Sequence, residues 1–364
     1  MKDTVGKRLV YFTGNMKEFG KWIQAQPFGV QLLEWNLRGV SQVIFVNNPL
    51  SGMTILMALI LQSPWVALTG AVGLLSSTLT SLILSQDSED VAAGRHGYNG
   101  MLVGILIALF SDKGDWYWWL LIPSCLMAAS CTFIFSGLKS LFEPWDLPVL
   151  AFPFNTMLIL YSGATGRNNQ HFPQVHIGPQ TTPTNVTAPE LNVLMLLRAI
   201  PIGAGQIYGC DNFWPSVIIL MAVFLSSPIL CAHVIIGSAV GIAAGLSLGV
   251  PFELLYNGLA TFNGVLACMT IGGLFYVLTW QTHLLAIACA FFSSYSDQAF
   301  RNVLAMVGLP AASWASTLTI TLFLLGKNKQ PKMYKLPIST VSYPEESRKL
   351  YLQWSKPQSN ETNV

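Results

Sequence analysis

The sequence predicts an all-α polytopic membrane protein made of two inverted-topology repeats, each of about five transmembrane helices with added re-entrant half-helices. Three observations carry this reading: scarce and clustered charge, uncharged stretches of membrane-spanning length, and an internal duplication. Of the 364 residues 52% are hydrophobic and 10% charged, with 19 Lys and Arg against 17 Asp and Glu for a net charge of +2. A soluble domain carries about 25% charged residues, and the mean hydropathy of +0.51 points to lipid as the solvent.

Residues 1–36 are mixed and basic, with Lys2, Lys7, Arg8, Lys17 and Lys21, and contain no cleavable signal. They read as a cytoplasmic N-terminal region. The first transmembrane repeat follows over residues 37–165. It opens with 48 uncharged residues, 39 to 86, room for about two crossings, and continues through apolar stretches at 97–111, 116–138 and 147–166. Residues 166–197 hold Arg167 and Arg198 borders this run, which is rich in Pro and Thr and reads as an extracellular linker; its Asn185-Val186-Thr187 is a glycosylation sequon. The second repeat, 198–326, has uncharged runs of 41 residues (212–252) and 43 residues (254–296) and a further apolar stretch at 302–326. Residues 327–364 form a basic tail with Lys327, Lys329, Lys332, Lys335, Arg348, Lys349 and Lys356. By the positive-inside rule both termini are cytoplasmic, so the number of crossings is even. A barrel is excluded, because barrel strands show as short alternating segments. The six cysteines sit in or beside apolar spans and read as small packing residues.

The duplication appears when the chain is slid against itself. At an offset of 164, Gln42 meets Gln206, Asn48 meets Asn212, Ser63-Pro64 meets Ser227-Pro228, and Asn99-Gly100 meets Asn263-Gly264. With two residues deleted, Leu147-Pro148 meets Leu309-Pro310. Chance does not set polar residues and prolines in register across apolar sequence. About ten membrane-entering segments give five per copy, and an odd number inserts the second copy upside down. Gly97 to Leu102 is short and Gly-flanked, and Leu147 to Phe154 holds two prolines, as expected of half-helices and not of lipid-facing spans.

Polar groups within the spans are few. No chain of carboxylates crosses the core, and His233 and His283 read either as proton relays or as residues bonded to a neighbouring helix. This scarcity argues for passive movement of a neutral solute. Gln42 and Gln206 offer a donor and an acceptor each, suited to such a solute at two mouths of a path, or to bonding helix ends. Tyr98 and Phe262 recur before Asn-Gly, whereas Phe45 falls opposite Gly209. Flat rings can shape a slot for planar solutes, although membrane aromatics also serve as packing. No HExxH, GxSxG or paired carboxylate lies in the spans, so no enzyme is expected, and neither a cofactor, a metal nor a nucleic-acid partner.

The stretches Gln42 to Pro49, Gly97 to Gly104, Ser111 to Asp115, Gln206 to Asn212 and Trp280 to Leu285 closely resemble the vertebrate urea transporters, from about residue 38 into the tail. The resemblance implies a channel-like path for urea in the plasma membrane, in a homotrimer with one pore per protomer. It implies substrate contacts at Gln42, Val43, Phe45 and Tyr98 on one side and Gln206, Ile207 and Phe262 on the other. Leu102 and Leu266 match leucines of the narrow middle, and half-helix carbonyls would form a ladder for the urea amides. The family's Leu-Pro-x-x-Thr-x-Pro-Phe motif departs here: Ala151 replaces the first threonine, Ser313 the second, and the closing Pro-Phe is absent from the second copy. The expectation is a slightly wider, less polar constriction that carries urea, with ammonia, methylamine, small amides or water as the alternative solutes.

Overall fold

The computed structural model describes residues 12–179, 191–326 and 332–355. Asn185 and its sequon lie outside the described residues. Among those described, the chain is helical, and the extended pairings are two isolated β-bridges, Ser111 with Gln174 and Tyr276 with Lys335.

The helices repeat in order. After α1 (Lys17–Ile23) come α2 (Phe28–Gln42), α3 (Pro49–Gln62), α4 (Pro64–Ile83), α5 (Ser88–Ala92), α6 (Gly97–Leu109), α7 (Leu121–Phe142) and α8 (Phe152–Thr165). The second series is α9 (Val193–Gly205), α10 (Phe213–Ser226), α11 (Pro228–Ser247), α12 (Phe252–Tyr256), α13 (Phe262–Met269), α14 (Trp280–Ala305) and α15 (Trp314–Leu325), followed by α16 (Pro344–Ser355) in the tail. Both ends of α3, α4 and α5 shifted by 164 coincide with those of α10, α11 and α12. The local causes repeat too. Ser63 and Ser227 cap the free amides of α4 and α11, and Pro64 and Pro228 take the first turn, where no amide partner is needed.

The backbone follows the duplication where the side chains do not. Left-handed residues recur in matched pairs: Phe45 with Gly209, Ser85 with Gly249 and Gly94 with Gly258 at an offset of 164, then Asp146 with Gly308 and Leu150 with Ala312 at 162. Phe45 at φ 56° occupies a conformation natural to its counterpart Gly209, so the position that looked asymmetric in sequence is symmetric in backbone.

Among the described residues three helical stretches, Pro64–Ile83, Trp118–Trp145 and Pro228–Ser247, are long and apolar enough to cross a membrane singly. The stretches Val193–Tyr208 and Phe213–Ser226 are long and apolar enough only as a pair, and they are bent by 79° at the break between them. The shorter apolar helices α3, α6 and α15 have 14, 13 and 12 residues. At 1.5 Å per residue they reach only about 20 Å, short of the ~30 Å hydrocarbon core. The apolar stretches read from sequence are thus partly full spans and partly pieces about two thirds of that length.

Helices approach closely where glycine permits. A Cβ on Gly73 of α4 would lie 2.2 Å from the Gly100 carbonyl of α6, and one on Gly100 would lie 2.4 Å from that of Gly73. The matched Gly237 and Gly264 bring α11 against α13. The two halves meet through α3 and α10, where the Ser51 hydroxyl donates to the Ala222 carbonyl at 2.7 Å, and through α8 and α15. The described segments nearest the two ends of the chain also meet. Gly14 donates to the Ser226 carbonyl at 2.9 Å, Lys17 pairs with Glu346 at 2.7 Å, and Glu345 caps the start of α11 through Ser227 and Ile229.

Candidate functional site

Each series is interrupted before its last helix. Residues 147–151 and 309–313 are non-helical, because Pro148 and Pro310 prevent a helix from running through and Leu150 and Ala312 turn left-handed at φ 50° and 44°. An asparagine holds each turn at the start of the next helix. Asn99 Oδ1 accepts the Phe154 amide at 3.1 Å, and Asn263 Oδ1 accepts the Ser316 amide at 3.1 Å. The absence of Pro-Phe from the second copy therefore leaves this backbone anchor intact, since the anchor uses an amide and not a side chain.

The carbonyl at the turn is held differently in the two halves. The Tyr98 hydroxyl donates to the Leu150 carbonyl. Phe262 has no hydroxyl, and Asn263 Nδ2 instead donates to the Ala312 carbonyl at 3.1 Å and to Asp297 Oδ1 at 2.9 Å. Asp297 in turn accepts from Arg301 Nε at 2.8 Å, and Arg301 also donates to the Leu259 carbonyl at 2.8 Å and lies 5.6 Å from the centre of the Phe262 ring. Among the described residues no group donates to the carbonyls of Pro148, Val149, Leu309 or Pro310. An unpaired carbonyl needs a partner from solvent or solute.

Two cavities flank these breaks. The first, ≈ 470 Å³, is lined by Val43, Phe45, Tyr98, Leu102, Ala151, Gln206, Ile207, Phe262, Leu266 and Ser313, together with the break 309–313. The second, ≈ 510 Å³, is lined by Gln42, Phe45, Tyr98 and the break 147–150. Phe45, Tyr98 and Leu150 belong to both, so the cavities approach each other at these three residues. Ten of the eleven residues singled out in sequence line the first cavity, and Gln42 lines the second. Gln42 and Gln206 thus lie in different cavities, and they present different faces. Gln42 Oε1 accepts from Asn47 at 3.3 Å, which leaves its amide hydrogens available; Gln206 Nε2 donates to the Asn257 carbonyl at 2.7 Å, which leaves its oxygen available. The Asn257 carbonyl ends α12, so the helix-end role holds for Gln206 while its oxygen stays open to the cavity.

The departures from the threonine pattern have distinct surroundings. The Ser313 hydroxyl is tied across the interface to Asn155, whose Nδ2 reaches it at 3.1 Å and Thr317 Oγ1 at 3.2 Å. Ala151 leaves the matching position without a hydroxyl. His233 and His283 bond one another at 3.2 Å between α11 and α14 and line neither cavity, which is the geometry of residues bonded to a neighbouring helix.

Sequence reasoning overlooked several contributors. Asp297 and Arg301 stand four apart at the end of the uncharged run 254–296, a helical ion-pair spacing that could have marked them. Ile177 and Gly178 of the linker enter the first cavity, and Asn15, Lys17, Ser342 and Tyr343 from the two ends of the chain enter the second. No sequence pattern signals the latter contacts, which depend on tertiary docking. Lys139 lines the second cavity as well, and its hydrogen bond to Asp87 holds that exposed carboxyl below the usual carboxylate range. No group of three or more metal-ligating residues occurs among the described residues.

A family model described as urea transporter matches residues 33–328. Over 350 residues the chain is 52% identical to urea transporter 1 of Capra hircus and to that of Ovis aries, and 51% identical to urea transporter 1 of Rattus norvegicus. Each alignment covers 96% of this chain and 91% of the relative. A match that spans both helical series, both cavities and both interrupted segments leaves one assignment: the chain belongs to the urea transporter family.

Proposed function

We propose that urea passes down its gradient through the two cavities, entering by one and leaving by the other past Phe45, Tyr98 and Leu150. Facilitated urea transport is the activity of the family, and the chain is a membrane transporter and not an enzyme. The observation that carries the path is the sharing of those three residues between two cavities, the first lined by the break 309–313 with Leu150 and Ala151 and the second by 147–150. At the second cavity the free amide hydrogens of Gln42 suit the urea carbonyl, and at the first the free oxygen of Gln206 suits a urea amide. The rings of Phe45, Tyr98 and Phe262 offer faces to a planar solute, Leu102 and Leu266 narrow the passage, and the unpaired carbonyls of the breaks accept urea N–H groups in succession.

The arrangement about the membrane belongs to the same proposal. The second repeat is inverted relative to the first, which brings matched breaks to a common centre from opposite sides. Both termini are cytoplasmic; their mutual contacts support an even number of crossings. The protein works as a homotrimer in the plasma membrane, in contact with lipid, with one pore in each protomer. The linker is extracellular, and Asn185 carries the glycan.

The test is stopped-flow urea permeability of proteoliposomes. Gln42→Ala and Gln206→Ala should each lower it about threefold to tenfold, the loss of one hydrogen bond to the moving solute. Urea permeability that is indifferent to both substitutions would remove the cavities from the path.

The altered constriction leads to a second measurement. Ala151→Thr combined with Ser313→Thr adds two methyl groups and a hydroxyl to the first cavity. The ratio of methylurea to urea permeability should fall about twofold or more, since a pocket discriminates a methyl by steric fit. An unchanged ratio would show that positions 151 and 313 do not set the width.

A further inference from the structure

Each cavity contains a long basic side chain paired with a buried carboxylate, a feature that the passage of a neutral solute does not require; Asp211, bonded to Gln62, also lines the first cavity, and the Arg38–Glu34 pair and the exposed Lys17 and Lys21 line the second. In the first cavity Arg301 side-chain atoms are 22% exposed and those of Asp297 behind it 2%, at a separation of 2.8 Å. In the second, Lys139 is 39% exposed and Asp90 3%, at 2.5 Å. Arg95 shares Asp90 with Lys139, and Lys139 also reaches Asp87 at 3.0 Å. Lys139 on α7 and Arg301 on α14 differ by 162 residues, the offset that pairs the interrupted segments. Phe135 stands at the position matched to Asp297, so the two carboxylates come from different places in the chain while the cations come from the same one.

The first pair is therefore a dipole with its positive end toward the lumen, and in the second Asp90 also lines the cavity but is nearly buried beneath two cations, Lys139 and Arg95. Coulomb energy falls with distance, so for a solute in the cavity the more distant carboxylate does not cancel the nearer cation. A neutral urea meets hydrogen-bond donors, and an approaching cation meets repulsion. Guanidinium is the telling solute. It is planar and close in size to urea, and it differs by its charge and by an NH2 in place of oxygen. The Arg301 side chain shows that the wall accommodates a guanidinium group, which lies against the Phe262 ring and donates to the Leu259 carbonyl. Shape alone does not reject it, and a charge must.

We infer that Arg301 and Lys139 form a paired electrostatic filter that keeps guanidinium and other small organic cations out of a path open to urea. The inference rests on the reading of the two cavities as the urea path. Proteoliposomes held at zero membrane potential would be assayed for guanidinium and for urea permeability. The wild-type ratio of guanidinium to urea should lie below about one hundredth, the expected effect of a like charge at a narrow entry. Arg301→Gln leaves Asp297 uncompensated beside the lumen and should raise the ratio about tenfold or more. Arg301→Lys should keep the wild-type ratio, and Arg301→Gln with Asp297→Asn should return most of the way to it. Lys139→Gln is an independent variant in the other cavity, and should raise the ratio less because Arg95 remains.

A ratio unchanged in both Arg301→Gln and Lys139→Gln would overturn the filter, and so would a rise in Arg301→Lys equal to that in Arg301→Gln. If Arg301→Gln fails to fold, Lys139→Gln decides alone: a raised ratio supports the filter and an unchanged one overturns it. Failure of the path itself would look different, as urea permeability insensitive to Gln42→Ala and Gln206→Ala.

Discussion

Asn263→Ala should lower urea permeability about tenfold or more, whereas Asn99→Ala should cost clearly less. Asn263 makes three bonds at the second break: it accepts the Ser316 amide and donates to the Ala312 carbonyl and to Asp297. Its loss takes one partner from the buried Asp297 carboxylate, which keeps Arg301, and strands two backbone groups, each worth about 1–3 kcal/mol when left unpaired. The turn at φ 44° then keeps the bond from the Ser313 amide to Asn155 at 3.1 Å but loses the one at the Ala312 carbonyl, and the unpaired carbonyls beside it lose their aim into the first cavity. In the first half the Tyr98 hydroxyl holds the Leu150 carbonyl independently, so Asn99→Ala releases only the Phe154 amide. Stopped-flow permeability of the two variants beside their thermal stability makes the comparison. Equal losses would mean that the two breaks are held alike, contrary to the bonding described above.

Gly73→Val should abolish recovery of folded protein. Its Cβ would stand 2.2 Å from the Gly100 carbonyl, a backbone atom in the first turn of α6 that cannot move aside without displacing the helix. The destabilisation should exceed about 4 kcal/mol, the range in which overpacking ends folding. Gly237→Val at the matched crossing has slightly more room, 2.8 Å to the Gly264 carbonyl, and should leave a measurable fraction folded. Size-exclusion profiles of the two variants in detergent would show the difference; a monodisperse Gly73→Val peak at the wild-type position would contradict it.

The duplication was the most legible feature, and its legibility has a physical basis. Matched caps such as Ser63-Pro64 and Ser227-Pro228 are local, so the residues that start a helix can be read from the chain. The membrane class was equally plain, because lipid forbids charge over long runs. Helix lengths were less so. Apolar residues reveal burial in lipid or protein but not whether a segment such as α15, of 12 residues, stops partway. The candidate residues came together because the resemblance supplied them, while the arrangement behind them was hidden. Asn263 with Asp297 and Asn155 with Ser313 are contacts between residues 34 and 158 apart, fixed by tertiary packing and invisible to spacing rules. Left-handed Phe45 could not be foreseen, since its side chain gives no hint of the turn that Gly209 announces in the other copy.

The exchange of donors at the two turns bears on how a doubled chain can drift apart. Leu150 and Ala312 ask for the same thing, one donor to one carbonyl, and a ring hydroxyl serves the first while an amide serves the second. Asn99 Nδ2, buried and without a partner, stands in the first half as an understudy for the role that Asn263 plays in the second. Each copy could thus have traded one donor for the other in single steps without ever leaving its carbonyl unserved. What the two halves inherit in common is a demand of the backbone, and the side chains that meet it are free to diverge.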